Sequence, residues 1–460
     1  MSEKKLMTLI ENPQRPRSDV ISYQRLLDTD THRVPEVLRL QGPLGAGPVE
    51  VPVERYTSRA FFELEVERLW KRAWQMACRE EDIPNVGDHL VYDIAGMSFI
   101  VVRTAPAEIK SYYNACLHRG RMLRETGGPA ATEFRCPFHG FAWNLDGSLK
   151  HVPCAWDFPH IKPAEWRLPE VKVGTWGGFV FINMDPNCEP LQDFLGAELT
   201  DQFKRWPLER RYKQAHVAKV LSCNWKVAQE AFMEAFHVVA THPQLLAGLG
   251  DANSQYDAWR NFSRAITANG TPSPHLSWTP TEQQMFDSMT DRRLDEPPAV
   301  EIPAGMTARQ VSAAGGREML RPVLGDAVDE LSDAELVDSF YYTVFPNFHP
   351  WGAYNRITYR FRPHGTEVDE SIMECMYLAP YREGEKPPAA PIHWLGADDD
   401  WCDAPELGFL ARVFNQDTFN LAKVQRGLKT TAKKTVTLAN YQEIKLRHFH
   451  RTLESWLARP

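Results

Sequence analysis

The stretch NACLHRGRMLRETGGPAATEFRCPFHGFAW, residues 114–143, contains two short cysteine and histidine motifs that decide the fold of the first half of the chain. The first motif is Cys-x-His, made by Cys116 and His118, and the second is Cys-x-x-His, made by Cys136 and His139. Each motif offers one thiolate and one imidazole, which are donor types that bind zinc or iron. We therefore expect two loop tips that grip one metal centre between them.

Two metal centres fit this set of donors. One is a structural zinc ion, and the other is a [2Fe–2S] cluster with both thiolates on one iron and both imidazoles on the other. Zinc-finger histidines normally come as a late pair, whereas here each histidine follows its own cysteine. Gly120 and Gly140 come after the histidines, where glycine permits the positive φ that turns backbone N–H groups towards an anion such as sulfide. The pattern favours the iron–sulfur cluster.

The motifs CLHRG and CPFHG resemble the signature of the Rieske iron–sulfur proteins. The continuation FAWNLDGSLKHVP is also similar to the segment that follows in the Rieske domains of ring-hydroxylating oxygenases. One departure is Phe141, where many relatives have Trp, and we expect it to alter the packing over the cluster. The resemblance implies a centre that accepts one electron and acts as a relay, without substrate chemistry of its own.

A second set of candidate ligands lies in LSCNWKVAQEAFMEAFHVVATHPQ, residues 221–244. Glu234 and His237 are three residues apart, so they share one face of a predicted helix. His242 is five residues further on and can meet His237 at one ion only if that helix loosens or ends just before it. Pro243, directly after His242, is consistent with such an ending.

The run NWKVAQEAFMEAFHVVATH is similar to a segment in the catalytic domain of Rieske non-haem iron oxygenases. The resemblance implies that His237 and His242 bind a mononuclear Fe(II) and that Glu234 bridges the two redox centres across a subunit boundary. Many relatives have Asp at this bridging position. The resemblance also places Asn224 near the iron, as a weak contact or through a hydrogen bond, although a helix N-cap explains Asn224 equally well.

The third iron ligand must come from elsewhere in the chain. Two histidines and one carboxylate on one face of Fe(II) leave open positions for dioxygen and substrate. FNQDTFNLAKVQRGL resembles the family's segment of Asp followed by Gln-x-Gly, which implies that Asp417 is this ligand. The competing acids, in a loop-like polar run, are Asp398, Asp399, Asp400, Asp403 and Glu406.

The composition is that of a soluble globular protein with two or more cores, since the 460 residues are 43% hydrophobic and 24% charged. The formal net charge of -8 argues against nucleic acid or an anionic membrane as the main partner. The beginning, MSEKKLMTLIENPQRP, has no apolar core of a signal peptide, and no later stretch is apolar enough to span a bilayer. We expect a cytoplasmic protein.

Six further cysteines lack histidine neighbours at ligand spacing, and we expect them to be small buried hydrophobic residues. They are Cys78, Cys154, Cys188, Cys223, Cys375 and Cys402.

The pattern of the chain, together with the resemblance, implies three regions. We expect residues 1–69 to be an arm and a helix that packs on the catalytic domain, residues 70–185 to be the Rieske [2Fe–2S] domain, and residues 186–460 to be the catalytic domain. The alternating runs HLVYDI, SFIVVRT and GGFVFINMD predict strands of a small antiparallel β unit. The resemblance implies an α+β fold in which the catalytic domain is a helix-grip, START-like unit with a large antiparallel sheet and helices.

Other patterns predict individual elements of the catalytic domain. Thr307 with Gln310, and Ser332 with Glu335, are capping boxes that begin helices. Two helices are predicted within PELGFLARVFNQDTFNLAKVQRGL and NYQEIKLRHFHRTLESWLARP at the end of the chain. In YNRITYRFRP the apolar residues alternate with arginines, so we expect one face in the core and a solvated face, with an anion clamp as the alternative.

By this resemblance, the chain is identified as a terminal oxygenase component. The family implies a head-to-tail homotrimer that receives electrons from an NAD(P)H-dependent flavin reductase, directly or through a ferredoxin. The chain has no nucleotide-binding glycine fingerprint of its own, which fits a separate reductase. Whether a small β subunit accompanies the chain stays open.

We expect the substrate, together with O2, to be a small apolar molecule of aromatic or polycyclic type. Apolar candidates for the pocket walls, each of which also fits ordinary core packing, are Phe232, Phe236, Val238, Leu245, Phe345, Phe348 and Phe414. Mono- and dioxygenation both remain open, and the enzyme alternative is an O- or N-dealkylating monooxygenase, with quaternary ammonium compounds among its substrates. The alternative outside enzymes is a zinc-stapled carrier of a hydrophobic ligand.

Overall fold

A six-stranded antiparallel sheet forms the framework of the first half of the molecule. The computed structural model describes residues 21–44, 47–290 and 300–459. In spatial order the strands of this sheet are Gln75–Arg79, Phe179–Asn183, Glu170–Trp176, Glu108–Tyr113, Met97–Ala105 and His89–Ile94. The three strands predicted from HLVYDI, SFIVVRT and GGFVFINMD are confirmed.

A small three-stranded sheet packs against the six-stranded sheet. Its strands are Phe134–Arg135, Ala142–Trp143 and Leu149–His151. A separate hydrophobic core joins the two sheets, with Ile100 and Tyr112 from the larger sheet and Phe134 and Trp143 from the smaller one, all fully buried. Cys116 belongs to the same core, so the cysteine and histidine loops stand on a rigid base.

The second half of the molecule is built on an eight-stranded sheet. Its strands in spatial order are Gln255–Ala258, Phe262–Thr267, Ser339–Val344, Phe348–Pro350, Ile357–Pro363, Ser371–Pro380, Arg211–Leu221 and His393–Leu395. All neighbours are antiparallel except the last pair. A further pair, Glu50–Pro52 with Thr435–Thr437, ties the first part of the chain to the last part.

Helices cover this sheet and close the chain. The α-helices of the described residues are Tyr23–Leu26, Glu36–Arg39, Glu54–Thr57, Arg59–Glu65, Leu191–Leu195, Ala197–Phe203, Trp225–Glu230, Val238–Thr241, Glu282–Met289, Ala308–Leu324, Asp333–Val337, Leu410–Thr430 and Ile444–Leu457. The capping boxes at Thr307 and Ser332 are confirmed as helix starts, and so are the last two helices. Within the described residues, no helix has the length and apolar character that a membrane span requires.

The arginine face of the strand Ile357–Pro363 is not solvated, and this expectation was wrong. Arg360 is buried and lies directly opposite Glu374 on the neighbouring strand. Its Nη2 donates to Glu374 Oε2 at 2.6 Å, while the Nε of Arg362 donates to Oε1 at 3.0 Å. The arginines therefore neutralise a carboxylate inside the molecule, and neither solvent nor an anionic substrate is needed to explain them.

The same arginine joins the two large sheets. Nη1 of Arg360 donates to the backbone carbonyls of Met76 at 2.9 Å and Ala77 at 2.6 Å, in the first strand of the six-stranded sheet. Burial alone would raise the pKa of Glu374, but Arg360, Arg362 and His216 hold that pKa well below its usual range. The carboxylate is therefore ionised at neutral pH, and it fixes the side chain that crosses between the sheets.

The expectation of burial for the six other cysteines holds for only half of them. Cys78, Cys223 and Cys375 are buried, whereas Cys188 is half-buried and Cys154 and Cys402 are exposed. Cys402 lies in a short 3-10 turn and Cys154 directly precedes one, where no sheet or helix face requires an apolar side chain.

Replacement of Glu374 should destabilise the fold. Glu374→Gln leaves two arginines without their buried partner, and we expect the free energy of unfolding at pH 7 to fall by about 3–5 kcal/mol, measured by denaturant titration. Because the folded-state pKa of Glu374 is depressed, the difference between wild type and variant is full above the unfolded value of about 4.3 and shrinks as the pH falls below it.

Glu370→Gln is the matched control for this prediction. Glu370 is half exposed and pairs only with the equally exposed His364, at 2.8 Å. Loss of such a surface pair changes the free energy of unfolding by less than about 1 kcal/mol. Equal stability of the two variants would remove the structural role of Glu374.

Candidate metal centres

Two loops of matching geometry carry the cysteine and histidine motifs. In the first loop, the N–H of Cys116 donates to the carbonyl of Arg121 at 2.9 Å, and the N–H of Gly120 donates to the carbonyl of Cys116 at 2.8 Å. The second loop, which begins at Cys136, repeats these bonds at 2.8 and 3.0 Å. Gly120 and Gly140 have φ of 74° and 81°, so the predicted need for glycine at both positions is confirmed.

The side chains of these loops meet at the loop tips. The rings of His118 and His139 lie 4.7 Å apart between centroids, nearly perpendicular to each other. The thiols of Cys116 and Cys136 are buried next to each other. Burial raises the pKa of the Cys116 thiol, so the positive charge of a metal is what would convert it to a thiolate.

The spacing of these four donors fits a two-iron cluster better than a zinc ion. Four ligand atoms around one tetrahedral zinc lie within roughly 4 Å of each other, because the metal–ligand bonds are only about 2.0–2.3 Å long. In the part of the chain that the structure describes, only one group of three or more metal-binding side chains has all its ligand atoms within 4.8 Å of one another. That group does not include these two cysteines and two histidines, whose donors are therefore spread more widely. Thiolates on one iron and imidazoles on the other suit this wider arrangement.

Aromatic rings surround the loop tips. Phe141 stacks on His118 with centroids 4.6 Å apart and planes 20° apart, and Phe158 meets Phe141 edge to face at 5.5 Å. The position where this chain departs from many relatives therefore does pack over a candidate ligand. Phe138 is 57% exposed and Trp156 is 81% exposed. Neither exposed aromatic was predicted from the sequence, because exposure of a ring is decided by its neighbours in space.

The second constellation lies on a broken helix. Helices Trp225–Glu230 and Val238–Thr241 are separated by turns, and His242 has φ -127° and ψ 54° outside the second helix. The predicted end of the helix before His242 is confirmed. The predicted shared helix face of Glu234 and His237 is wrong, since both precede the second helix.

Glu234 contacts His237 although the two residues do not share a helix face. Its Oε1 accepts a hydrogen bond from His237 Nδ1 at 2.7 Å, and its Oε2 accepts from the backbone N–H of His237 at 3.0 Å and from that of Phe236. The carboxylate therefore closes the turn that replaces the helix, and it fixes the orientation of the His237 ring.

Three candidate iron ligands converge on one point. Nε2 of His242 lies 2.9 Å from Oδ1 of Asp417, and Nε2 of His237 lies 3.6 Å from the same oxygen. One ligand atom of each residue lies within 4.8 Å of those of the other two. Asp417 is buried on the helix Leu410–Thr430, and none of the competing acids belongs to this group. Two imidazoles and one carboxylate form the donor set of a non-haem Fe(II) site.

Hydrogen bonds at the other ring nitrogens orient both histidines. Nδ1 of His242 donates to the side-chain carbonyl of Gln416 at 2.8 Å, as Nδ1 of His237 does to Glu234. Both Nδ1 atoms must carry the proton, which leaves each Nε2 free to bind a metal. Gln416 was not predicted from the sequence. The sequence feature that could have identified it is its position directly before Asp417.

The charge around His237 favours a cation in this place. Burial lowers the pKa of His237, but the carboxylates of Glu234 and Asp417 outweigh burial and raise that pKa to about 9. A metal ion has to displace the proton at Nε2, so binding releases a proton and is weaker at low pH.

Asn224 is engaged as a helix cap. Its Oδ1 accepts from the N–H of Lys226 at 3.1 Å, and its Nδ2 donates to the carbonyl of Val368 at 2.8 Å. Its own N–H donates to Oε1 of Gln425 at 3.1 Å, which connects the cap to the helix that carries Asp417. Asn224 is therefore the N-cap of the helix Trp225–Glu230, which is one of the two explanations that the sequence offered. The other explanation, a contact of Asn224 with iron, stays a prediction.

A cavity of about 140 Å³ reaches the three ligands. Of the apolar residues proposed for its walls, Phe232, Val238, Leu245 and Phe414 line it. Phe345 and Phe348 are instead buried in the main core, and Phe236 is 42% exposed beside Glu234. The walls that sequence alone did not identify are Leu249, Tyr341, Trp351, Tyr359, Leu410 and Val413.

Comparison with known proteins gives two family matches. Residues 73–162 match the Rieske [2Fe-2S] domain, and residues 201–459 match the ring hydroxylating alpha subunit (catalytic domain). The chain belongs to the ring-hydroxylating alpha-subunit family. The α+β fold, with a Rieske domain and a catalytic domain built on a large antiparallel sheet, and the two predicted cofactors, a Rieske [2Fe–2S] cluster and a mononuclear non-haem iron, are thereby confirmed.

Two curated relatives of this alpha subunit illustrate the range of the family. The carnitine monooxygenase oxygenase subunit of Escherichia coli (strain K12) is 29% identical over 250 residues, which cover 52% of this chain and 63% of the relative. The biphenyl 2,3-dioxygenase subunit alpha of Rhodococcus jostii (strain RHA1) is 31% identical over 203 residues, which cover 43% and 44%. The chain thus spans less than two thirds of the length of these relatives.

Solved structures share the fold over most of the chain. A quaternary ammonium Rieske monooxygenase in complex with L-carnitine matches with a TM-score of 0.62 and 17% identity, covering 88% of this chain and 95% of that one. Naphthalene 1,2-dioxygenase from Rhodococcus sp. bound to indole matches with a TM-score of 0.59 and 20% identity, covering 89% and 95%.

Removal of the Gln416 carbonyl should weaken the mononuclear metal site. Gln416→Leu leaves His242 Nδ1 without its acceptor, and we expect the affinity for Fe(II) to fall about 10- to 100-fold, measured by titration of iron-depleted protein, with no change in the absorption spectrum of the cluster. Asn420→Ala, one turn further along the same exposed helix face, is the control and should bind Fe(II) as wild type does. Unchanged iron affinity in Gln416→Leu would contradict the orienting role.

Proposed function

We propose that this chain is the terminal oxygenase of a multicomponent system, which uses O2 and electrons from a separate reductase to hydroxylate an apolar aromatic or polycyclic molecule. The observation that carries the proposal is the presence of two different donor sets in one chain. One set stands on exposed loop tips, and the other lies at the end of an apolar cavity. The electrons come from an NAD(P)H-dependent flavin reductase, directly or through a ferredoxin.

The proposal assigns each donor set to one cofactor. Cys116, His118, Cys136 and His139 hold the [2Fe–2S] cluster, and His237, His242 and Asp417 hold the mononuclear iron. When bound, the cluster supplies one-electron storage, and the lone iron supplies a place where dioxygen is reduced beside the substrate.

The protein groups position the metal ligands and shape the space beside them. The hydrogen bonds from Glu234 and Gln416 hold both imidazole rings at fixed angles, and mainly apolar side chains form the cavity wall next to the ligands. The acidic side chain of Glu234 is 9% exposed, next to the exposed ring of Phe236. In the proposed assembly, a residue of another subunit meets Glu234 at this point.

Two exposed apolar rims support a head-to-tail homotrimer. One rim is Phe138, whose ring contacts that of the exposed His139, and the other is Phe236 beside Glu234. Exposed aromatic residues of this kind are enriched at protein interfaces. In the proposed trimer, His118 or His139 of one subunit contacts Glu234 of the next, and Glu234 in turn accepts a hydrogen bond from His237. A small β subunit is not part of this proposal.

The domain boundaries and the location of the protein belong to the same proposal. Residues 1–69 are assigned to an arm and helix on the catalytic domain, residues 70–185 to the Rieske domain and residues 186–460 to the catalytic domain. The strand pair Glu50–Pro52 with Thr435–Thr437 supports the first assignment, because it attaches the arm to the end of the catalytic domain. The cytoplasm is the proposed compartment.

A dealkylating monooxygenase is the second candidate. It is favoured by the similarity to the carnitine monooxygenase oxygenase subunit, and the aromatic cavity walls are compatible with a quaternary ammonium group. Product analysis under labelled dioxygen separates the two candidates, since a ring dihydroxylase places two labelled oxygens in the product and a dealkylase releases an aldehyde. The zinc-stapled carrier is disfavoured by the spacing of the four Rieske donors.

Metal analysis of anaerobically purified protein tests the proposal and the role of Asp417. We expect about three irons per wild-type chain and a Rieske absorption spectrum, because two irons form the cluster and one is bound alone. Asp417→Ala removes one of three ligands, so we expect about two irons per chain with an unchanged cluster spectrum.

Asp403→Ala is the control, since it removes an acid of the competing run that is not near the histidines. It should retain all three irons. Colourless, zinc-containing wild-type protein would overturn the proposed function, whereas full iron occupancy in Asp417→Ala would overturn only the assignment of the third ligand.

Replacement of Glu234 tests the bridge between the redox centres. Glu234→Gln keeps the side-chain length and should keep both metals, but we expect roughly 10- to 100-fold slower product formation, since the charged partner of His237 is lost. The readouts are iron content, the cluster spectrum and the turnover rate. Glu230→Gln changes a nearby acid that bonds Tyr56 and His450 instead, and it should keep its turnover. Equal rates in the two variants would count against the bridge.

A further inference from the structure

A second cavity continues the one that reaches the iron ligands. The inner lobe has a volume of about 140 Å³, and the outer lobe has about 330 Å³. The side chains that line both lobes, and therefore form the waist between them, are Leu245, Leu249, Ser339, Trp351, Leu410 and Val413. The half-exposed ring of Phe409 lines only the outer lobe and marks its open end.

The inner lobe has room for one ring. An apolar cavity of about 150 Å³ accommodates benzene, which is close to the volume found here. Phe232, Tyr359 and Phe414 supply aromatic walls with centroid separations of 5.2–6.0 Å. A longer substrate must therefore keep its remaining atoms in the outer lobe.

The described residues that line the outer lobe carry no formal charge. Among the described residues that line it there is no Asp, Glu, Lys, Arg or His, and neither lobe is lined by Lys or Arg. A substrate carboxylate would lose its hydration here without meeting a cation, which is costly. A substrate cation would likewise meet only neutral groups in the outer lobe.

Most polar groups of the outer lobe already have partners within the chain. The hydroxyl of Ser288 donates to the carbonyl of Gln244 at 3.0 Å. Asn355 accepts from the N–H of Phe340 at 2.9 Å and donates to the carbonyl of Asp338 at 3.2 Å. These side chains stabilise the walls and have little left to offer a ligand.

Two donors at the waist have no acceptor among the described residues, namely the hydroxyl of Ser339 and the buried Nε1 of Trp351. Oγ of Ser339 accepts from Nδ2 of Asn269 at 3.3 Å, so its hydrogen atom is available to a ligand. Ser339 is also half-buried at the waist, next to both lobes. Its hydroxyl can therefore donate to an oxygen that lies about one bond beyond a ring in the inner lobe.

We propose that the substrate is an uncharged, elongated molecule with an apolar ring in the inner lobe and a carbonyl, ether or hydroxyl oxygen at the waist, where Ser339 donates a hydrogen bond to it. This inference rests on the proposed function, because it places the ring beside the iron ligands. Ser339 is thus a specificity-determining residue, which selects molecules with an acceptor next to the ring that enters.

A pair of probes tests the proposal. Diphenylmethane and benzophenone have the same two rings, and only benzophenone has a carbonyl between them. Isothermal titration calorimetry of the iron-loaded protein under argon should show about fivefold tighter binding of benzophenone, the effect of one neutral hydrogen bond. Diphenylacetate, which adds a carboxylate to the same skeleton, should bind more weakly than diphenylmethane.

Two serine variants test whether Ser339 causes the tighter binding of benzophenone. Ser339→Ala should bind both uncharged probes with equal affinity, while its affinity for diphenylmethane stays close to that of wild type. Ser288→Ala is the matched control from the outer lobe, and it should keep the fivefold preference because its hydroxyl is already engaged. The diphenylmethane affinity also reports any general damage to the cavity.

Several results would overturn the inference. Equal affinity of the wild type for the two uncharged probes would do so, and so would no binding of either probe or a preference for benzophenone that survives in Ser339→Ala. Tighter binding of diphenylacetate than of diphenylmethane would also contradict it. The same holds for tighter binding of phenyltrimethylammonium than of its neutral isostere tert-butylbenzene. Binding under argon requires no turnover. A protein with these binding preferences but no oxygenase activity would therefore contradict the proposed function and leave the Ser339 subsite intact.

Discussion

The carboxylate of Asp417 is the group on which the arrangement of the catalytic half depends. It lies 2.9 Å from His242 and 3.6 Å from His237, although it is far from both along the chain. The helix that carries it buries one face at the spacing of α-helical turns, comprising Ala411, Phe414, Asp417, Leu421 and Gln425. The Asp417 carboxylate can be buried in this largely apolar face only because histidines meet it, so the helix can settle on the sheet in a single register.

The break between the helices Trp225–Glu230 and Val238–Thr241 is also needed for both histidines to reach Asp417. In a continuous helix, His237 and His242 would point in different directions, and no single carboxylate could reach both. The turns between Glu230 and Val238 remove this obstacle, and they would leave backbone N–H groups unpaired if Glu234 did not accept from them. Glu234 thus has a structural task in addition to the proposed electronic one, which explains why an acid is needed before the first ligand.

The sequence was most informative where function requires short local motifs. Both cysteine and histidine loops and the end of the helix before His242 follow from spacing, because these residues are neighbours in the chain. Asp417 is far from both histidines in the chain, and it was proposed as a ligand from the family resemblance instead. The arginine face was misread since its partner, Glu374, lies on the adjacent strand and the other acceptors belong to the opposite sheet. Gln416 was missed for the same reason, because its partner His242 is distant in the chain. The break at Glu234 was missed although its contacts are local, since Glu234 and His237 have the spacing of a continuous helix.

One short segment serves two routes to the metal site. Glu234 and Phe236 lie towards the surface, where an electron from another subunit would arrive. Val238 and Leu245 line the cavity, where a substrate would arrive, and the outer lobe opens past Phe409, which precedes the helix Leu410–Thr430. A regular helix would present these side chains in a fixed rotation of about 100° per residue. The irregular backbone lets both histidines face Asp417 while Val238 and Leu245 still line the cavity. Glu234 lies in the wall of the same cavity, with its carboxylate held on Nδ1 of His237. The break that brings the ligands together therefore also places this acid between the cavity and the exposed ring of Phe236.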